Sequence, residues 1–275
     1  MKLKFIVIIK YLSYIMITIN FIFSIGFRCY SPDFLKCHNI RNISGPFDYL
    51  FIDIETAFDN INNNFDLFLN DIVVVNKNKQ INKIYYSDKR INKQILDFTE
   101  NKDIGYMSHN YNNWNLIINQ NFINDTPSNL YNWDRICIFL HHNITEKSTY
   151  DIFYKRVNIF KNIYKNRKKD MCLFYITKIV ETENIEQYQK KIYDMKKRYN
   201  INCYIIIIIC SDKLDDYYIF ENDILFIIKK VNDYQYQYYN KPGADKFLNS
   251  NKEFNIIKNI FNLELMTYEQ IMSAF

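Results

Sequence analysis

Apolar residues follow two different periods along this chain, and the switches between them outline an architecture. Ile54, Ala57, Phe58, Ile61, Phe65 and Phe68 recur at helical spacing, as do Phe153, Val157, Phe160 and Tyr164, and then Tyr188, Ile192, Met195 and Tyr199. Between the last two stripes lies Met171 to Ile176, and after them come Cys203 to Cys210 and Ile224 to Val231. These are short, nearly unbroken apolar runs, the pattern of strands buried on both faces. With Arg135 to Leu140 read as a further strand, the second half alternates strand and helix. That predicts an α/β fold, a mostly parallel sheet covered by helices on both faces with right-handed crossovers. A final helix is expected after Gly243, carrying Phe254, Ile257 and Phe261.

Two parts fall outside that rhythm. Ile72 to Val75 and Ile84 to Tyr86, separated by a Lys/Asn turn, predict a small hairpin. Residues 88–131 read as an irregular surface insertion anchored by Trp114 and Trp133.

The N-terminal run from Phe5 to Phe27 admits three readings. It is about as long as a bilayer span, and its basic start suits a secretion signal. Against both, Lys10 lies inside it, where a charge costs about 2.5–3.5 kcal/mol on insertion scales, and no small-x-small cleavage site follows. The third reading is a leading helix and then a buried strand from Ile19 to Ile25. Residues 1–19 are therefore expected to be an apolar extension, an anchor or sequence upstream of a start at Met16, ahead of a single α/β domain over 20–275. The expected location is the cytoplasm, with a membrane anchor through residues 5–27 as the alternative.

Composition mostly excludes. The chain has 275 residues, 48% of them apolar, and a net charge of +5. It can bury a sizeable core and is neither disordered nor a disulfide scaffold. Its abundant Asn, Ile, Lys and Tyr read as the bias of an A+T-rich genome. With only four glycines, at 26, 45, 105 and 243, neither a dinucleotide fingerprint nor a phosphate loop can be written, so no nucleotide cofactor is expected. Lys and Arg on helices 150–167 and 184–199 read as a solvated face, not a nucleic-acid surface. The six cysteines match no C-x-x-C pattern, and no metal site is expected. Cys172, Cys203 and Cys210 lie in apolar runs as small hydrophobes.

Scarcity makes three segments stand out. In Ser24-Ile25-Gly26-Phe27-Arg28-Cys29-Tyr30-Ser31-Pro32-Asp33, a strand reaches Gly26 and a helix is expected to begin at Ser31, with Pro32 at its first position and Asp33 in its first turn. Cys29 then stands at a helix N-terminus beside Arg28, and both favour the nucleophilic thiolate. In Ser44-Gly45-Pro46-Phe47-Asp48-Tyr49-Leu50-Phe51, Asp48 is the lone charge after a forced turn. It either orients a histidine or caps the helix that follows. In Arg135 to Asn143, His141 and His142 stand together at the end of a strand taken as parallel, where either imidazole can act as a general base.

Taken in order, these segments resemble the putative papain-like cysteine peptidase family, a domain of unknown function found in bacteria and large DNA viruses. The resemblance rests on Ile25-Gly26-x-x-Cys29 and on Ser44 to Leu50 leading into Ile54-Glu55-Thr56. It continues through Phe65-Asp66-Leu67-Phe68-Leu69, the His141-His142 pair, Tyr154 to Phe160, and Leu173 to Ile176. It spans roughly residues 20–230. Asn143 stands where the family often has Asp, and Arg28 replaces a small polar residue. The resemblance implies Cys29 as nucleophile, His141 or His142 as its base and Asp48 as an orienting acid. The substrate would be an unidentified peptide or other acyl compound. The alternatives from other classes are a non-catalytic α/β module binding a ligand or partner, and a carbohydrate-related transferase.

Overall fold

The computed structural model describes residues 16–26, 30–66, 68–70, 72–76, 115–119, 137–139, 142, 144, 146–178, 185–211, 214–231 and 251–274. Its centre is a five-stranded sheet in the order β2-β7-β8-β10-β9, built from β2 (Phe21–Ser24), β7 (Met171–Lys178), β8 (Tyr204–Ser211), β10 (Ile224–Lys230) and β9 (Tyr217–Glu221). The first four are parallel, in registers such as Phe23↔Leu173, Leu173↔Ile205 and Ile207↔Phe226. Edge strand β9 is antiparallel to β10 and joined to it through Asn222 (φ +53°) and Asp223 (φ +61°), both left-handed as a two-residue type I′ hairpin turn requires.

The alternation of strand side chains separates two cores. Phe21, Phe23, Leu173, Tyr175, Ile205, Ile207, Phe226 and Ile228 point to one face, which is covered by α2 (Ile54–Asn62), α3 (Lys147–Arg167) and α4 (Ile185–Arg198). Ile22, Phe174, Ile176, Ile206, Ile208 and Leu225 point to the other, which is covered by α1 (Tyr30–Cys37) and α5 (Asn251–Ile260). Helices thus flank a mostly parallel sheet, as the patterning predicts. On α3 the buried stripe is Phe153, Val157, Phe160 and Ile163, with the predicted Tyr164 half-buried beside it. The helix α1 ends at Asn39, whose left-handed φ of +55° lets the Ile40 N–H return to the Leu35 carbonyl at 2.9 Å.

The strand 137–139 departs from the expectation. β6 (Cys137–Phe139) lies in a second, antiparallel sheet of order β3-β6-β5-β4, with β3 (Leu50–Ile52), β5 (Asn115–Asn119) and β4 (Ile72–Asn76). β7 lies between β2 and β8, both parallel to it. Periodicity finds strands but not their partners, and the N-terminal strand took the place assigned to β6. The described partner of β4 is β5, inside the stretch read as irregular. The proposed strand Ile84 to Tyr86 lies outside the described residues, as do Trp114, Trp133 and Gly243.

The apolar N-terminal run also resolves in part. Ile17–Ile19 form β1, paired in parallel with β11 (Phe261–Leu263), and the chain then breaks at Asn20 and enters β2. Phe261 therefore belongs to a strand and not to the last predicted helix, and a further helix, α6 (Tyr268–Ala274), follows. Ile19, Phe21, Ile22, Phe23 and Ile25 are buried in the cores. Among the described residues no helix is long and apolar enough to cross a membrane. Residues 1–15 lie outside those described.

Candidate functional site

Parallel β2 ends at the junction that the sequence singles out. Gly26 adopts φ +91°, and a Cβ there would meet Ile52 Cγ2 at 2.1 Å, so both the conformation and the close approach of β3 require glycine. Residues 27–29, Cys29 among them, lie outside the described residues, and α1 begins at Tyr30. Ser31 does not cap the helix from outside. It is a helical, fully buried residue whose Oγ donates to the Gly26 carbonyl at 3.0 Å and accepts from the Ile176 N–H at 2.9 Å. One hydroxyl thus ties the first turn of α1 to the ends of β2 and β7, at the carboxyl edge of the parallel strands where α/β proteins place their sites.

Asp48 is almost completely buried, and three hydrogen bonds converge on its Oδ2: from Arg41 Nη2 at 2.7 Å, Arg41 Nε at 3.1 Å and the Gly45 N–H at 3.0 Å. Arg41 Nη2 also donates to Ser44 Oγ at 2.9 Å. The Gly45-Pro46 turn is what brings Asp48 back over Arg41. Burial pushes the Asp48 carboxyl up, while Arg41, the Gly45 N–H and the charge of Arg156 pull it back. Burial lowers Arg41 in turn, and the charge and hydrogen bonds of Asp48 more than offset this, leaving the guanidinium above its ordinary value. The alternative role for Asp48, capping the next helix, belongs to Asp53. Its carboxylate accepts from the Thr56 N–H at 2.7 Å and the Thr56 hydroxyl at 2.6 Å.

Tyr49 continues the cluster. Its φ of +62° is a strained conformation for an aromatic residue, and such strain persists only where surrounding contacts hold it. Here they do: the Tyr49 hydroxyl donates to Asp33 Oδ1 in the first turn of α1 at 3.1 Å, and the Arg41 guanidinium sits 5.2 Å from its ring centre. Burial, with the Asp33 charge, pushes the Tyr49 phenol up to about 12, and burial likewise raises Asp33.

On α3, Arg156 lies within electrostatic reach of Asp48, Arg41 and Tyr49. Burial lowers its pKa, opposed by the charge of Asp48. Its guanidinium carbon is 4.9 Å from the centre of the Phe153 ring, and the imidazole of His142 meets the same ring edge-on at 5.0 Å. Because β6 runs antiparallel to β3, with Leu50 opposite Phe139, the chain leaves β6 on the side of Tyr49 and Asp48 before it reaches His142. The histidine pair therefore does not follow a parallel strand, which corrects the sequence expectation.

Contacts link Asp33, Tyr49, Arg41 and Asp48, and the Phe153 ring links Arg156 and His142; between Asp48 and Arg156 the link is electrostatic only. Asp48 and His142 are joined in this cluster, while Cys29 and His141 lie outside the described residues. Sequence reasoning missed Arg41. The available signal was its place seven residues before Asp48 across a Gly-Pro turn. Among the described residues no three His, Cys, Asp or Glu side chains gather to hold a metal ion. Cys172 and Cys203 are buried thiols, Cys172 pushed well up and Cys203 to about 12 by burial, and neither is a nucleophile at neutral pH.

No curated protein and no solved structure matches the chain. One protein family does, over residues 20–213, from the start of the central sheet to just beyond β8. That match covers well over half of the sequence and includes Gly26, Cys29, Asp48, the histidine pair and Arg156. The chain belongs to the family described as "Putative papain-like cysteine peptidase (DUF1796)".

Proposed function

We propose that the chain is a thiol-dependent hydrolase of peptide or other acyl bonds, with Cys29 as nucleophile and one imidazole of the His141-His142 pair as its base. The observation that carries this reading is that the first turn of α1, which begins one residue after Cys29, is linked through Tyr49 to the Arg41–Asp48 pair, whose charge reaches Arg156 on the Phe153 ring that also meets His142. The Cys29 thiolate attacks the acyl carbon, and the helix N-terminus favours both the thiolate and the developing oxyanion. The imidazolium gives its proton to the departing amine or alcohol. The imidazole then takes a proton from the water that cleaves the thioester, restoring the thiol. Asp48 acts in this reading as a positioning acid, holding Arg41 and, through its charge, Arg156 beside His142.

The test compares the full chain with Cys29→Ala, His141→Ala and His142→Ala in hydrolysis of p-nitrophenyl acetate and of fluorescein-labelled casein. Turnover should vanish without Cys29 and with one of the two histidine variants. Near pH 6, where an ordinary thiol of pKa about 8.5 is protonated, iodoacetamide should alkylate Cys29 faster than free cysteine. Turnover that survives Cys29→Ala, or alkylation no faster than that of free cysteine, overturns the reading.

A further inference from the structure

The charges of the cluster are unevenly matched. Asp48 Oδ2 takes both hydrogen bonds from Arg41, and Asp33 takes the Tyr49 hydroxyl. Arg156 has neither a hydrogen bond nor an ion pair with any described residue, and its Nη1 is completely buried without a partner. Its flat face rests on Phe153, which leaves the donor fork of the guanidinium uncommitted. A buried guanidinium N–H with no acceptor costs more than an ordinary lost hydrogen bond. Arg41 lies within electrostatic reach and adds positive charge. The ring under Arg156 is also the ring against His142, so one phenyl group links the unfilled donor to one of the two candidate bases.

We infer that Arg156 is a specificity-determining residue that receives a carboxylate of the substrate, so that the preferred substrate is an acidic peptide or acyl compound. The inference rests on the hydrolase reading for its location beside the reacting bond, but the binding it describes needs no catalysis. A planar fork of N–H donors fits a planar carboxylate in a bidentate pair. Delivery of that carboxylate supplies the acceptor that Arg156 Nη1 lacks and adds to the charge of Asp48, which reaches Arg156 without a hydrogen bond. A neutral isostere such as a carboxamide offers one acceptor oxygen in place of two and no charge, so it cannot form the charged bidentate pair.

The experiment uses the full chain carrying Cys29→Ala, so that binding is read without turnover. Titration calorimetry compares an acetylated, amidated tripeptide Ala-Glu-Ala with Ala-Gln-Ala. The glutamate peptide should bind about tenfold or more tightly. Arg156→Gln should abolish the difference, and Arg156→Lys should keep part of it. The comparison between the two peptides on the unsubstituted Arg156 needs no variant to fold. Equal binding of the two peptides, a preference that persists in Arg156→Gln, or inorganic phosphate binding more tightly than the glutamate peptide overturns the inference. If the preference is found while Cys29→Ala leaves hydrolysis intact, the acidic-ligand site stands and the thiol mechanism falls.

Discussion

Arg41 and Asp48 form a buried ion pair in which two guanidinium nitrogens, at 2.7 and 3.1 Å, share a single carboxylate oxygen. The pair closes the Gly45-Pro46 turn on itself and holds the backbone from which Tyr49 and β3 depart. Removing one partner leaves the other charge buried and uncompensated. Arg41→Met should therefore destabilise the protein by about 3–5 kcal/mol in urea denaturation. Replacing both, as Arg41→Met with Asp48→Leu, should recover most of that loss. A double variant as unstable as the single one would mean that the residues act through something other than their mutual charge.

Gly26 is the second point where a small change should be costly. Gly26→Ala places a methyl group against Ile52 and forces φ +91° on a residue with a Cβ. A loss of about 1–3 kcal/mol in thermal or urea unfolding is expected. Adding Ile52→Ala removes the clash but not the backbone strain, so the second substitution should not restore stability. A Gly26→Ala protein as stable as the parent would show that the junction is not held as described.

Thiol accessibility divides the described cysteines. Cys37, exposed at the end of α1, should react with a disulfide reagent in the native protein, whereas Cys172, Cys203 and Cys210, all buried, should react only after unfolding. Mass spectrometry after brief labelling, with and without denaturant, makes the comparison. Native-state labelling of Cys203 at the rate of Cys37 would contradict the burial of the start of β8.

The same burial makes stability depend on pH at the alkaline end. The folded protein holds the Cys203 thiol protonated up to about 12, whereas the unfolded chain releases that proton near 8.5. Above about pH 8.5 the unfolded state binds fewer protons, so stability falls as pH rises, by about 1.4 kcal/mol per pH unit from this group. Tyr49, Tyr164 and Tyr193, raised to about 12 mainly by burial, add to the decline above about pH 10. Denaturant midpoints from pH 7 to 11 should be flat and then drop, and Cys203→Ala should soften the first part of the drop.

What the sequence made legible follows from where burial is decided. β8 is nearly all isoleucine, and α3 and α4 carry clean apolar stripes, so local pattern alone identified them along with the two-sided covering of the sheet. β6 looked the same locally, but its direction depends on a partner, β3, far away in the chain. β9 was missed because it is a half-exposed edge strand whose residues alternate weakly. In the site, rarity pointed to Gly26, the Gly45-Pro46 turn and the histidine pair. Arg41 and Arg156 were ordinary members of basic, Asn-rich stretches, and only the fold reveals that one has a buried partner and the other has none among the described residues.

The pairing of β1 with β11 carries a consequence for how the protein is made. Ile17–Ile19 leave the ribosome well before their ladder partners Phe261–Leu263, with the whole central sheet translated in between. β2, next to β1, likewise waits for β7, on the far side of the whole second sheet and α3. Until β7 and then β11 emerge, one of the most apolar stretches of the chain is therefore a pair of strands without a sheet. Pairings between such distant segments form slowly, and strand edges left open meanwhile invite aggregation. The nascent chain should depend on chaperones that shield residues 17–25 until those partner strands have emerged.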